Sequence, residues 1–245
     1  MTGTENALSF RLAYVPGVTP GKWTRTWAER LPDVPIELHA MSNGEALQGL
    51  ADEAVDAALL RLPIDRSGKH AIPLYTETTV VVVPKDHEVA AVEEVAADDL
   101  ADYVVLHPLD DSLGWELPPG TPAKERPPTT TDAIELVAAG VGLLVVPQSL
   151  ARLHHRKDLT YRTLVDAPQS DVALVWLEER STDLMEEFIG IVRGRTVNSS
   201  RGAKQPEPQK REKPTAKKAA KPTAKSTSKT TAKTTRTAKP RRRGR

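Results

Sequence analysis

The segment from Leu31 to Pro63 constrains the fold of this chain most, because it carries the periodicities of a strand, a helix and a second strand in close succession. Residues 36–40 alternate apolar and polar side chains with the period of two that is typical of a strand. Apolar side chains then recur at helical spacing after Asn43, the predicted N-cap. Residues 55–60 form an apolar run with one acid, as expected for a parallel strand buried on both faces. This unit predicts an open α/β sheet with loops available for ligand at the carboxyl ends of its strands.

The composition and motifs do not support thiol or zinc chemistry, catalysis through a nucleophile elbow or a P-loop, or secretion and membrane insertion. The chain contains no cysteine, which excludes disulfides and thiolate chemistry and weakens any zinc site. Neither a nucleophile elbow nor a P-loop is present, and His154 and His155 lie near a predicted helix end, where histidine favourably meets the last carbonyls. No stretch resembles a secretory signal or a membrane helix. We therefore expect a cytoplasmic protein that is not an enzyme, needs no cofactor or metal and does not contact membranes.

The net charge of +1 conceals a division between an acidic body and a basic tail. Residues 201–245 hold 17 Lys and Arg and two acids, so the tail carries +15 and the rest of the chain −14. Because it has no large apolar residue, we predict that the segment 198–245 is disordered. Its charge suits contact with phosphate backbones without sequence readout. The predicted DNA-contacting residues are Lys213, Lys217, Lys218, Lys221, Lys225, Arg241, Arg242 and Arg243. The tail could instead solubilise the protein or fold back on the acidic body.

Several stretches resemble a known family when they are taken in order. PDVPIELHAMSNGEALQGLADEAVDAALLRLP is similar to the first lobe of the effector-binding domain of LysR-type transcriptional regulators. The likeness extends over residues 8–194 through FRLAYVPGV, PLYTETTVVVVPKDHEVA and DAIELVAAGVGLLVVPQSLARL. The tail is similar to the lysine-, alanine- and proline-rich tails of linker histones and some nucleoid proteins. The resemblance implies an α/β fold with two Rossmann-like lobes, of the type 2 periplasmic-binding-protein-like class.

The resemblance implies domain limits. The chain also departs from the family at two places. The first lobe would comprise residues 8–84 and 165–194, and the second lobe residues 85–164. Family members carry a helix-turn-helix before the effector domain, but here the first strand begins near Ser9, so we expect that DNA-binding domain to be absent. The segment 107–128 has six prolines and no periodicity where the family has a helix near its subunit contact. We therefore expect a monomer or a weak homodimer.

The cleft between the two lobes is the ligand site that the resemblance implies. Several of the segments that should face this cleft precede helices, so free backbone N–H groups would favour a small anionic effector. Ser42, Asn43 and Thr131 could equally be helix caps, and Arg61 could equally form a salt bridge. The predicted ligand-binding residues are Thr19, Ser42, Asn43, Arg61, Thr131, Pro147 and Gln148.

Three helices carry local predictions of packing, length and capping. Trp23, Trp27 and Leu31 share one helix face and should pack on the core. Residues 92–100 are predicted to form a weak helix, and Thr131 or Asp132 to cap the helix that follows.

Two functions remain open at this point. The first is a ligand-responsive regulator or nucleoid-associated factor whose tail binds DNA non-specifically. The second is a cytoplasmic solute-binding or sequestering module whose tail does not bind DNA. A third, an enzyme of the prephenate dehydratase type on a similar fold, is disfavoured because the Thr-Arg-Phe motif of that family is missing.

Overall fold

The computed structural model of the protein describes residues 8–195. The predicted tail 198–245 and its predicted DNA contacts lie outside the described residues. In the described part the chain forms two mixed β-sheets with helices packed against them, as the predicted α/β class requires. No helix in this part is long and apolar enough to cross a membrane.

The first sheet has five strands in the order β2-β1-β3-β11-β4. The parallel strands β1, β2 and β3 come from the predicted strand-helix-strand region and the strand before it, and β11 joins them antiparallel to β3 and β4. All five residues of β3 are buried, which confirms the apolar run as a central strand. The strands are β1 (Phe10–Tyr14), β2 (Ile36–Ala40), β3 (Ala57–Arg61), β4 (Lys69–Glu77) and β11 (Ser170–Leu177).

The second sheet has six strands in the order β6-β10-β5-β9-β7-β8. Its centre is β5, which lies antiparallel to both β9 and β10 and buries five of its six residues. The chain therefore changes sheet at Thr78, and the predicted lobe boundary after Pro84 is placed one strand too late. The strands are β5 (Thr79–Pro84), β6 (Glu94–Val95), β7 (Val104–Leu106), β8 (Thr121–Pro122), β9 (Leu143–Pro147) and β10 (Leu159–Leu164).

Within residues 8–195, five α-helices and three short 3-10 turns accompany these strands, and the last helix follows the last strand. The predicted weak helix at residues 92–100 is wrong, because this stretch forms β6 and then a 3-10 turn. There the Asp99 side chain accepts a hydrogen bond from the backbone N–H of Ala96 at 2.9 Å, a local turn that competes with a longer helix. The helices are α1 (Gly21–Arg30), α2 (Asn43–Ala51), α3 (Thr130–Ala138), α4 (Gln148–Leu153) and α5 (Asp183–Val192).

An aromatic cluster fixes α1 and α5 against the first sheet. The ring of Phe10 lies 4.8 Å from that of Trp27 and 5.1 Å from that of Phe188, measured between centroids. Trp27 is fully buried, and its indole N–H donates to the carbonyl of Val34 at 2.8 Å. Trp23 and Leu31 pack beside it, so the predicted inward face of this helix is confirmed.

The proline-rich segment 107–128 contains no helix in the structure, and β8 is its one short strand. Side chains fix it in place, since Arg126 donates to the carbonyls of His107 and Pro108 at 2.8 and 2.7 Å. The segment packs against α3 through Thr130, whose hydroxyl donates to Asp110 Oδ1 at 2.9 Å. The segment 107–128 is irregular, as predicted, and the hydrogen bond to Thr130 attaches it to the second lobe.

Candidate functional site

A cleft of about 1080 Å³ opens between the first sheet and α4 of the second lobe. One wall is the loop from β1 into α1, another is the end of β4, and α4 closes the third side. This position fits the expectation that ligands bind beyond the carboxyl ends of the strands of an α/β sheet. The residues that line it include Thr19, Gly21, Tyr75, Gln148, Ser149 and Arg152.

Arg61 sits at the carboxyl end of β3 and ties the two lobes together. It is only 3% exposed, and its Nε donates to Glu77 Oε2 at 2.9 Å. Its Nη2 donates to the Ser149 hydroxyl of α4 at 2.9 Å. A buried guanidinium needs such partners, because an unpaired charge away from water is costly. The alternative that Arg61 forms a buried ion pair is the one that the structure shows.

Asn43 holds the backbone of Arg61 and does not cap a helix. Its side-chain amide donates to the carbonyl of Arg61 at 2.8 Å and accepts from the N–H of Arg61 at 3.1 Å. The predicted N-cap at Asn43 is therefore wrong by one residue, and Ser42 caps α2. Ser42 forms a reciprocal capping box with Glu45, and these hydrogen bonds lower the pKa of the Glu45 carboxyl.

The N-terminus of α3 is also capped by a capping box. Thr129 is the N-cap and accepts from the backbone N–H of Asp132, whose carboxylate returns the hydrogen bond. The predicted cap at Thr131 or Asp132 is therefore wrong, and the Thr131 side chain is exposed outside the cleft lining. At both α2 and α3 a carboxylate thus occupies the place where an anionic ligand would bind.

The N-terminus of α1 differs from those of α2 and α3. Pro20 precedes it without a side-chain hydrogen bond, and its first turn carries no acid. Thr19 and Gly21 line the cleft here, so the positive end of the helix dipole, where the first N–H groups have no partner within the helix, lies at the cavity. Among the starts of α1, α2 and α3, that of α1 keeps the capacity to meet an anion.

Helix α4 contributes a polar face from the opposite lobe. Gln148, Ser149 and Arg152 line the cleft, while Leu150 and Ala151 are buried behind them. Sequence reasoning identified Gln148 but missed Ser149 and Arg152. The signal was available, because residues 148, 149 and 152 recur at helical spacing opposite the apolar pair.

A glycine allows the two lobes to approach closely. Gly17 adopts a φ of +87°, and a Cβ atom there would lie 2.6 Å from Ser149 Oγ and 3.0 Å from Arg61 Nη2. A side chain at this position would separate the β1–α1 loop from α4. Pro147, another predicted site residue, is buried in β9 opposite Thr79 and does not line the cleft.

Tyr75 and Glu77 were also missed by sequence reasoning, and both come from the end of β4. Burial raises the pKa of the Tyr75 hydroxyl, with a further rise from Glu77 and an opposing effect from Arg61. The phenol therefore stays protonated at neutral pH and can donate a hydrogen bond into the cleft. Within residues 8–195, no group of three or more His, Asp or Glu side chains is placed to hold a metal ion.

Comparisons with known proteins agree with this architecture. The family model described as LysR substrate binding domain matches residues 8–196. A probable hydrogen peroxide-inducible genes activator of Mycobacterium avium is 32% identical over 151 residues, which is 57% of this chain and 49% of the relative. The HTH-type transcriptional regulator AlsR of Bacillus subtilis is 24% identical over 180 residues, 68% of this chain and 59% of the relative. The chain thus spans about half the length of the curated relatives it matches.

Solved structures show the same fold. The BenM effector-binding domain with its effector benzoate superposes with a TM-score of 0.64 at 20% identity, covering 76% of this chain and 90% of that one. The Corynebacterium glutamicum OxyR C206 mutant gives a TM-score of 0.62 at 25% identity, covering 78% of this chain and 66% of that one. With the family match over residues 8–196, these comparisons establish that the chain belongs to the LysR substrate-binding domain family.

Proposed function

We propose that the chain is the effector-binding part of a transcriptional regulator, and that its cleft takes up a small organic anion without catalysing a reaction. The observation that carries this proposal is the pairing of the open N-terminus of α1 with Arg152 across one cavity. Arg61 is already neutralised by Glu77, so among the residues 8–195 that line the cleft Arg152 is the cation left to attract the ligand from solvent. The relatives that support a regulatory role are named as transcriptional regulators or activators.

The shape of the cleft supports an anion with an apolar body. Its carboxylate would meet the N–H groups at Gly21 and the guanidinium of Arg152, with Thr19 and Gln148 as neutral donors. Its apolar part would lie against Tyr14, Val18 and Leu153 on the walls. Benzoate, the effector named for BenM, is a molecule of this class.

A thiol switch does not fit this chain, although several relatives are named hydrogen peroxide-inducible genes activators. Reversible oxidation by thiol–disulfide exchange requires cysteine, and the 245 residues contain none. Reversible binding in the cleft is therefore the proposed input.

The test is a thermal-shift and calorimetric screen with mono- and dicarboxylates, beginning with benzoate, on protein first checked by native mass spectrometry for a co-purified metabolite. Replacing Arg152 with glutamate should weaken binding of the best carboxylate by about tenfold or more, because a charge-assisted hydrogen bond is lost and a repulsive charge gained. Arg25→Glu is the matched control, since Arg25 is exposed on α1 outside the cleft.

The same screen tests the residues proposed from the sequence. Ser42→Leu combined with Thr131→Leu should leave affinity within about twofold, because neither side chain lines the cleft. Loss of binding in this double variant with full binding in Arg152→Glu would place the ligand nearer α2 and α3 and contradict the proposed site.

The proposed output is contact with DNA through the basic tail. The support is charge alone, since residues 201–245 hold 17 Lys and Arg against two acids. A role on DNA would place the protein in the cytoplasm, with nucleoid association as the bound state. The alternative, a solute-binding module with an inert tail, is favoured by the acidic body, which competes with DNA for the same cations.

We further propose that self-association is weak. In place of the family's helix, residues 107–128 present an irregular surface whose one strand, β8, has two residues. Sedimentation velocity at micromolar protein should therefore show a monomer or a concentration-dependent dimer. A dimer that persists at nanomolar protein would contradict this expectation.

A further inference from the structure

A second concavity lies on the second lobe, and its lining differs from that of the cleft. It has a volume of about 440 Å³ and is formed by α4, β10 and the end of β5. We call it the outer pocket. Its lining residues are Val82, Lys85, Ala151, His154, His155, Arg156, Leu159, Thr160, Tyr161 and Arg162.

The outer pocket is rich in donors and free of acids. Three of its lining residues are permanent cations and two are histidines, yet in the described part of the chain no Asp or Glu lines it. This is notable because residues 8–195 hold 17 Lys and Arg against 30 Asp and Glu. Arg156 is paired with Asp158 and Glu135. Lys85 and Arg162, in contrast, form no ion pair within residues 8–195, so these two cations focus an attractive field on anions.

The arginine positions are fixed before any ligand binds. Arg162 donates Nε to the carbonyl of Val92 at 2.5 Å and Nη1 to the Thr160 hydroxyl at 3.0 Å, so it is oriented by neutral oxygens that leave its charge uncompensated. Arg156 is held by Asp158 at 3.0 Å and by Glu135 at 2.5 Å, so these two acids at the rim of the pocket are already paired. A guanidinium already ordered by the fold loses little further entropy on meeting an anion.

The hydroxyl groups keep donor capacity toward the pocket. Tyr161 accepts a hydrogen bond from Arg152 Nε at 3.3 Å, and Thr160 accepts from Arg162, so each can still donate its own proton. The ammonium of Lys85 and the ring of His155 add further donors at the exposed edge. Several donors spread around one concavity suit an anion with three oxygens better than a carboxylate with two.

The floor of the pocket indicates what the anion is attached to. Val82, Ala151 and Leu159 are buried and give this floor an apolar surface. The volume lies at the lower end of the range for small-molecule sites and exceeds what inorganic phosphate alone would fill. From these features we infer that the outer pocket is a second ligand site, distinct from the cleft, for a small organic phosphate monoester.

The test is an NMR titration of the full 245-residue chain with phenyl phosphate at physiological salt. Amide signals of Thr160, Tyr161 and Arg162 should shift saturably, with a Kd below about 1 mM. Phenol, which has the ring without the phosphate, should leave them unchanged. Reading individual amides separates the pocket from any phosphate bound by the basic tail.

Matched variants localise the effect. Lys85→Glu and His155→Glu, both at exposed positions of the pocket, should each weaken phenyl phosphate binding by about tenfold. Lys157→Glu reverses the charge of an exposed neighbour outside the lining and should change affinity by less than about threefold. Arg152, which donates to Tyr161, is left unchanged because it lines the cleft.

Three results would overturn the inference. Equal weakening by Lys157→Glu would show attraction by general charge without a defined site. Benzoate shifting the same amides as strongly as phenyl phosphate would remove the preference for phosphate. A DNA duplex displacing phenyl phosphate at equal phosphate concentration would make this surface a nucleic-acid contact and not a small-molecule pocket.

Discussion

Replacing Glu77 with alanine is expected to lower the free energy of unfolding by about 3–5 kcal/mol, the range for breaking a buried ion pair on one side. Glu77 and Arg61 are 6% and 4% exposed at their side chains, with 2.9 Å between the carboxylate oxygen and Nε. The variant would leave the Arg61 guanidinium buried, with the Ser149 hydroxyl as its remaining side-chain partner. Urea unfolding followed by tryptophan fluorescence and circular dichroism measures the change.

Two controls separate burial from the mere loss of a salt bridge. Glu53→Ala removes the Arg180–Glu53 pair, whose side chains are 39% and 59% exposed, and should cost no more than about 1 kcal/mol. Replacing both Arg61 and Glu77 with methionine removes both charges and should recover much of the lost stability. A Glu77→Ala effect as small as that of Glu53→Ala would show that water reaches Arg61 and that the ion pair within the first sheet adds little to the stability of the fold.

The first lobe was predictable because its signals are local. The alternation at residues 36–40, the helical spacing of Trp23, Trp27 and Leu31 and the apolar run ending in β3 each determine one element without reference to distant residues. Whether a strand joins one sheet or the other is not local. Strand β5 is buried on both faces in either case, and its pairing with β9 and β10 cannot be read from its own residues.

The predicted N-caps of α2 and α3 lie one to three residues after the observed ones. Ser42 and Asn43 are both good N-caps, and the choice between them depends on the backbone of β3, which binds the Asn43 amide. The capping box of Thr129 with Asp132 could have been recognised from its spacing of three residues.

The candidate site was predictable only in part, because it is assembled from separate elements. Arg61 stands out in sequence as a basic residue that ends an apolar strand, but nothing local indicates that Glu77, 16 residues later, will neutralise it. Helical spacing places Arg152 on the polar face of α4, but that this face lines the cleft opposite α1 follows only from the fold. Charge alone therefore identified Arg61, which Glu77 neutralises, and missed Arg152, which lines the cleft.

Removing residues 201–245 is expected to abolish binding to unrelated DNA duplexes, because the remaining chain carries 17 Lys and Arg against 31 Asp and Glu. Binding that neutralises Z phosphates weakens with salt at a log–log slope of about −0.9Z on duplex DNA. If about half of the net +15 of the tail contacts phosphate, Z is about 7 and the slope is near −6. Filter binding or fluorescence anisotropy across a salt series measures both quantities.

A matched control tests whether charge and not length carries this effect. Lys213, Lys217 and Lys221 replaced together by glutamine keep the tail at full length and should reduce the magnitude of the slope by about 3 if all three contact phosphate. The acidic body competes for the tail at low salt, and this competition should fade as the Debye length falls to about 8 Å at physiological ionic strength. Undiminished DNA affinity in the truncated chain would place the DNA contact on the body, where the cations around the outer pocket are the first residues to replace.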